Sequence, residues 1–122
     1  MRLLAAACLL ALPLASCGGG GASSSEGGTE LEVTVWPGGR DGPSTSHKIT
    51  CPGDERCDRL LALPARVFEP VPAGIGCIQI YGGPDVAEVH GTIDGRKVDA
   101  TFKRTDGCET NRWNQVAFLL SP

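Results

Sequence analysis

Apolar and polar positions alternate most plainly near Leu31, where Leu31, Val33 and Val35 are interleaved with Glu32, Thr34 and Trp36. A period of two is the spacing of a strand with one buried face, so the run is predicted to be β-structure that ends at Trp36. Pro37-Gly38-Gly39 and Asp41-Gly42-Pro43 bracket Arg40 in a turn-rich loop, after which His47 to Cys51 returns as a second strand. The spacing then changes to that of a short helix, with Leu60 and Leu61 on the face shared by Cys57 and with Pro64 as its stop. Asp54 and Glu55 at its start suit the positive end of a helix dipole better than acid and base roles. The stretch Ala65 to Gly76, rich in proline and glycine, reads as an irregular surface loop running directly into Cys77.

The strongest local signal is a hairpin. Ala87, Val89, Gly91 and Ile93 fall on one side of a strand, Asp94-Gly95 is a favoured two-residue turn, and Val98, Ala100 and Phe102 follow. With that turn as the loop, Ile93 faces Arg96, Gly91 faces Val98, Val89 faces Ala100 and Ala87 faces Phe102, so the two apolar rows coincide. On the other face His90 lies opposite Asp99, which reads as a solvated cross-strand pair. Beyond Cys108 a short helix or turn over Glu109 to Trp113 leads to a last strand, Val116 to Leu120, and Trp36 and Trp113 are expected to pack in or around the core. These segments make an α+β domain with an antiparallel β-sheet of about five strands and two short helices.

The N-terminus is patterned for export. Arg2 supplies a positive start, Leu3 to Leu14 an apolar run too short for a bilayer, and small residues stand before Cys17. Leu14-Ala15-Ser16-Cys17 resembles the lipobox of bacterial lipoproteins. That resemblance implies a signal peptide over residues 1–16, cleavage before Cys17, acylation of its thiol, and an extracytoplasmic protein anchored by lipid to a bacterial membrane. Residues 17–28 then form the lipidated cysteine and a Gly/Ser-rich flexible linker with a reach of roughly 20 Å. A single domain remains over residues 29–122.

Composition narrows the chemistry. The chain carries 11 basic and 14 acidic residues, a formal net charge of −3, and Arg56, Arg59, Arg96, Lys97, Lys103 and Arg104 are interleaved with acids as solvated faces, so nucleic acid is not an expected partner. Of six cysteines, Cys8 leaves with the signal and Cys17 is committed to lipid. The four that stay imply two disulfides with three connectivities, and no C-x-x-C spacing argues for a metal. No nucleophile elbow, metal-binding histidine pair or phosphate-cradling glycine loop is present, so no catalytic residues and no cofactor are predicted, and the chain is not read as an enzyme.

From Cys77 to the C-terminus the chain resembles the subtilisin inhibitor-like family of secreted bacterial serine protease inhibitors. Cys77-Ile78-Gln79-Ile80-Tyr81 is similar to the reactive loop of that family, and Gly91, Gly95, Val98 and Cys108-Glu109 fall at the family's spacing. The resemblance implies an antiparallel sheet flanked by two short helices and crosslinked by Cys51–Cys57 and Cys77–Cys108. It further implies that Gln79 enters the primary pocket of a subtilisin-like or trypsin-like protease, that Gln79-Ile80 is the scissile bond, and that the domain pairs as a homodimer through its sheet. Gln79 departs from the family's large apolar or basic residue, and Gly82-Gly83 adds a residue before Pro84 that is expected to loosen that side of the loop. A scaffold that has lost inhibition would instead be an envelope lipoprotein that binds another exported protein.

Overall fold

The computed structural model describes residues 27–122. The signal peptide, Cys17 and almost all of the linker lie outside the described residues. Among the described residues no helix is long and apolar enough to cross a membrane.

Four antiparallel strands, β1 (Thr29–Trp36), β2 (Thr45–Cys51), β3 (Val86–Ile93) and β4 (Arg96–Lys103), form one sheet in the order β2-β1-β3-β4. Alternation decides which side of each strand is buried. Leu31 and Val33 on β1, Ile49 on β2, Ala87 and Val89 on β3, and Ala100 and Phe102 on β4 all point into one core. The opposite face carries Glu32, Lys48, Glu88, His90 and Asp99 and stays open to water.

The β3–β4 hairpin has the register read from the sequence, with Ile93 opposite Arg96, Gly91 opposite Val98, Val89 opposite Ala100 and Ala87 opposite Phe102. Its turn residues both have positive φ, 49° at Asp94 and 77° at Gly95, as the mirror-image two-residue turn requires. In the middle of β3, Gly91 has φ 144°, and a Cβ there would run into the Glu30 carbonyl of β1. Only glycine lets the two central strands approach this closely.

Two helices, α1 (Cys57–Ala62) and α2 (Gly107–Val116), cover the apolar face together with two 3-10 turns, Ala65–Phe68 and Ala117–Leu119. The fifth strand expected at Val116 to Leu120 is absent: the chain there finishes α2 and tightens into the second 3-10 turn. Val116, Leu119 and Leu120 are buried while Ala117 is exposed, which is the three-and-four spacing of a helix and not the alternation of a strand. In α1 only Cys57 and Leu60 face the core. Leu61 follows Leu60 directly, so a helix turns it by about a quarter of a revolution to the outside. The region after Pro64 is also less irregular than its composition suggests, because the first 3-10 turn buries Val67 against the sheet.

Both disulfides are formed, Cys51–Cys57 and Cys77–Cys108. The first spans a separation of 6 residues and ties the end of β2 to α1; the second spans 31 and ties the long connection before β3 to α2. By the loop-entropy relation the shorter is worth about 2 kcal/mol and the longer about 3 to 4 kcal/mol.

Arg56 and Arg104 are less solvated than the sequence suggests, and Arg112 is buried. Arg56 holds Asp54 through Nε and Nη2, each at 2.8 Å, while its backbone N–H donates to the same carboxylate at 2.9 Å. The Asp54 carboxyl is thereby kept well below the usual carboxylate range, first by the Arg56 side-chain hydrogen bonds, so its partner is a guanidinium and not a helix dipole. Arg104 leans on Asp85 at 3.3 Å. Arg112, from α2, is buried: its guanidinium donates to the carbonyls of Thr101 and Val67, pairs with Glu109 at 3.0 Å and lies 4.7 Å over the Phe102 ring. It joins α2, β4 and the first 3-10 turn through one side chain.

Candidate functional site

The long connection between the first 3-10 turn and β3 takes no regular structure, yet it is held at several points by one short stretch of chain, Arg104 to Cys108. That stretch is well placed to act as a clamp. It links β4 to α2, and Asp106 caps α2 by accepting the Glu109 N–H at 2.9 Å, so the first turn is fixed and its free N–H groups have defined directions. The Asp-x-x-Glu spacing at 106 and 109 signals this cap in the sequence.

From this stretch come three ties. Cys108 is bonded to Cys77, the Gly107 N–H donates to the Ile78 carbonyl at 2.7 Å, and the Arg104 carbonyl accepts the Gly82 N–H at 2.6 Å. The segment Cys77-Ile78-Gln79-Ile80-Tyr81 is therefore anchored at its start by a covalent and a hydrogen bond, and just past its end by another hydrogen bond. Gly82 does not loosen this side of the loop, as the sequence had led us to expect; it supplies the second anchor. Within the segment, the Ile80 N–H donates back to the Ile78 carbonyl at 2.9 Å, which makes a tight turn centred on Gln79. The Gln79 amide nitrogen donates to the Cys77 carbonyl at 3.0 Å.

Between these anchors the side chains point outward. Ile78 is 71% exposed, Ile80 67% and Tyr81 65%, and Gln79 is exposed between them. Large apolar side chains exposed together in this way form the kind of patch that marks an interaction surface. The sequence singled out this pentapeptide, and the structure joins it to Cys108 through Cys77 and leaves Ile78 to Tyr81 exposed. Its dependence on Gly107, Arg104 and Asp106 was not read from the sequence.

Elsewhere on the molecule, His90 lies between two carboxylates, with Nδ1 2.8 Å from Asp99 and Nε2 3.1 Å from Glu88. Glu88 is also met by Arg40 at 2.6 Å, and its carboxyl is held below its ordinary value, first by the His90 hydrogen bond and then by that of Arg40. Arg40 in turn lies 5.0 Å over the Trp36 ring, while Trp113 packs against the edge of the core. Cys77, Asp106 and Cys108 offer atoms within 4.8 Å of one another, but the two sulfurs are bonded to each other and neither is a thiolate ligand. Compared with protein-family models, with curated proteins and with solved structures, the chain gives no match.

Proposed function

We propose that this protein is an exported, lipid-anchored inhibitor of serine endopeptidases that offers Cys77 to Tyr81 to a subtilisin-like or trypsin-like enzyme as a substrate would, with Gln79-Ile80 as the bond presented for cleavage. The observation that carries this reading is an exposed, uncharged pentapeptide whose backbone is tied on both sides to the same short clamp. A peptide entering a protease cleft can add main-chain hydrogen bonds to the enzyme and present side chains to its pockets. Because this loop is ordered beforehand, association loses little conformational entropy, and a standard-size interface can then be tight. If the Gln79-Ile80 bond is cut, the disulfide and the Gly82 tie keep both new ends in place, so religation competes with release. The lipid on Cys17 would hold the inhibitor at the membrane surface, where such an enzyme meets it.

Incubation of the purified protein with subtilisin and with trypsin tests the proposal. Stoichiometric inhibition, with slow and incomplete cleavage at Gln79-Ile80 seen by mass spectrometry, supports it. Rapid, complete cleavage in the loop without inhibition of either enzyme removes it for both enzyme classes.

A further inference from the structure

The two ends of the sheet carry different things. The described chain starts beside the β3–β4 turn, where the Gly95 N–H donates to the Gly28 carbonyl at 2.8 Å and the Asp94 N–H donates to the hydroxyl of the buried Thr29 at 3.0 Å. Cys51 pairs with Thr29, so β2 ends and α1 follows at this same end. From the turn, β4 runs eight residues, or about 25 Å of strand, before the chain reaches Arg104 and the clamp. The point where the linker from Cys17 joins the domain and the exposed pentapeptide therefore lie at opposite ends of the sheet.

Exposed apolar side chains divide in a related way. Ile75, Ile78, Ile80 and Tyr81 all belong to the long connection before β3, whereas Leu61, 45% exposed, stands on α1 at the end where the linker joins. Leu61 lines an open recess of about 500 Å³, around which Arg96 and Lys97 are set against Glu69, Asp94 and Asp99. With both signs present, charge gives this surface no strong pull of its own, and its distinctive feature is an exposed leucine beside the tether. Resting on the reading that Cys17 carries lipid, we propose that this end of the domain, with Leu61 and the β3–β4 turn, lies against the bilayer surface and that the pentapeptide is displayed away from it. Leu61 enters the boundary between headgroups and acyl chains. One leucine does not hold a domain on a membrane unaided. The linker read from the sequence keeps it within roughly 20 Å of the lipid, at an effective concentration on the order of millimolar, so a contact too weak to form from free solution becomes populated.

The test places the full-length, acylated protein on vesicles of phosphatidylcholine and phosphatidylglycerol, with or without bromine on the phosphatidylcholine acyl chains. Leu61→Trp and Tyr81→Trp are compared with wild type, whose Trp36 and Trp113 supply the background fluorescence. Both substituted positions are exposed, so melting temperatures should match wild type. We expect the fluorescence gained by Leu61→Trp to be shifted to the blue and largely lost on brominated vesicles, and that gained by Tyr81→Trp to keep both its position and its intensity. Equal loss for the two variants, or no loss for Leu61→Trp, overturns the inference. A blue shift for Leu61→Trp that bromine does not quench marks contact with a second copy of the chain and overturns it as well. Subtilisin inhibition is measured on the same vesicles: its absence, with Leu61→Trp still quenched, removes the inhibitor reading and leaves the orientation standing. A mature protein whose mass shows no acyl chain on Cys17 overturns the anchor and the orientation together.

Discussion

The Gly107 N–H meets the Ile78 carbonyl at 2.7 Å, one residue along each chain from the Cys77–Cys108 bridge. The two ties act as adjacent rungs, one covalent and one hydrogen-bonded, between the loop and the first turn of α2. A Cβ at position 107 would stand 3.2 Å from the Ile78 carbonyl oxygen and 3.4 Å from its Cβ, so a branched side chain there must push the loop outward. Gly107→Val should weaken subtilisin inhibition by about tenfold, as a small misplacement of a binding group does, with little change in melting temperature. Inhibition assays run beside thermal melts check it, and a parallel loss of both would point to general misfolding instead.

Removal of the covalent rung should cost more. The Cys77→Ser, Cys108→Ser double variant is expected to lose about 3 to 4 kcal/mol of unfolding free energy by the loop-entropy relation. Urea titration measures the loss. Subtilisin should then cut between residues 77 and 82 at the rate of an ordinary substrate, which timed mass spectrometry follows.

Gly91 is the most constrained position of the sheet. Gly91→Ala forces a side chain into the Glu30 carbonyl at a φ of 144°, so β1 and β3 must separate or the strand must twist. A loss of about 3 kcal/mol or more is expected from strain and broken ladder bonds together. A melting temperature within a degree or so of wild type would contradict this reading of the central pair.

Arg112 serves the fold through its partners. Arg112→Ala strips the carbonyls of Val67 and Thr101 and the Glu109 carboxylate of their donor and uncovers the Phe102 ring. About 2 to 3 kcal/mol of stability should be lost, since buried acceptors are left unmet. Arg112→Lys restores the charge but not the fork that reaches two elements, and denaturation should show only partial recovery.

Acid sensitivity follows from Asp54. Its folded pKa lies below the unfolded value of about 4, so its pairing with Arg56 contributes in full above that pH and is lost as pH falls further toward the folded value. Glu88, lowered by His90 and Arg40, acts with the same sign. The melting-temperature gap between wild type and Asp54→Asn should be constant through neutral pH and narrow below about pH 4. A gap that widened on acidification would reverse the sign.

The hairpin was legible down to residue pairs because Asp94-Gly95 fixes the phase and two apolar rows then coincide only one way. The run Val116 to Leu120 was not, because a short apolar stretch fits a strand or a helix equally until its partners are known. Leu61 lies four residues after Cys57, a spacing that can share its face, but in α1 only Cys57 and Leu60 meet the core and Leu61 stays exposed. Arg112 gave no signal at all, since its burial depends on carbonyls from β4 and from a 3-10 turn far away in the chain. The pentapeptide was visible as a motif, but the clamp that orders it consists mostly of backbone groups, which a sequence does not distinguish.

That division of labour has a practical meaning. Arg104, Gly107 and Cys108 hold the loop by main-chain atoms and one sulfur, and the sole side-chain bond from positions 78 to 81 found among the described residues is the local one from Gln79 to Cys77. Those four positions are therefore expected to be exchangeable: their letters can be rewritten while the frame that displays them folds as before.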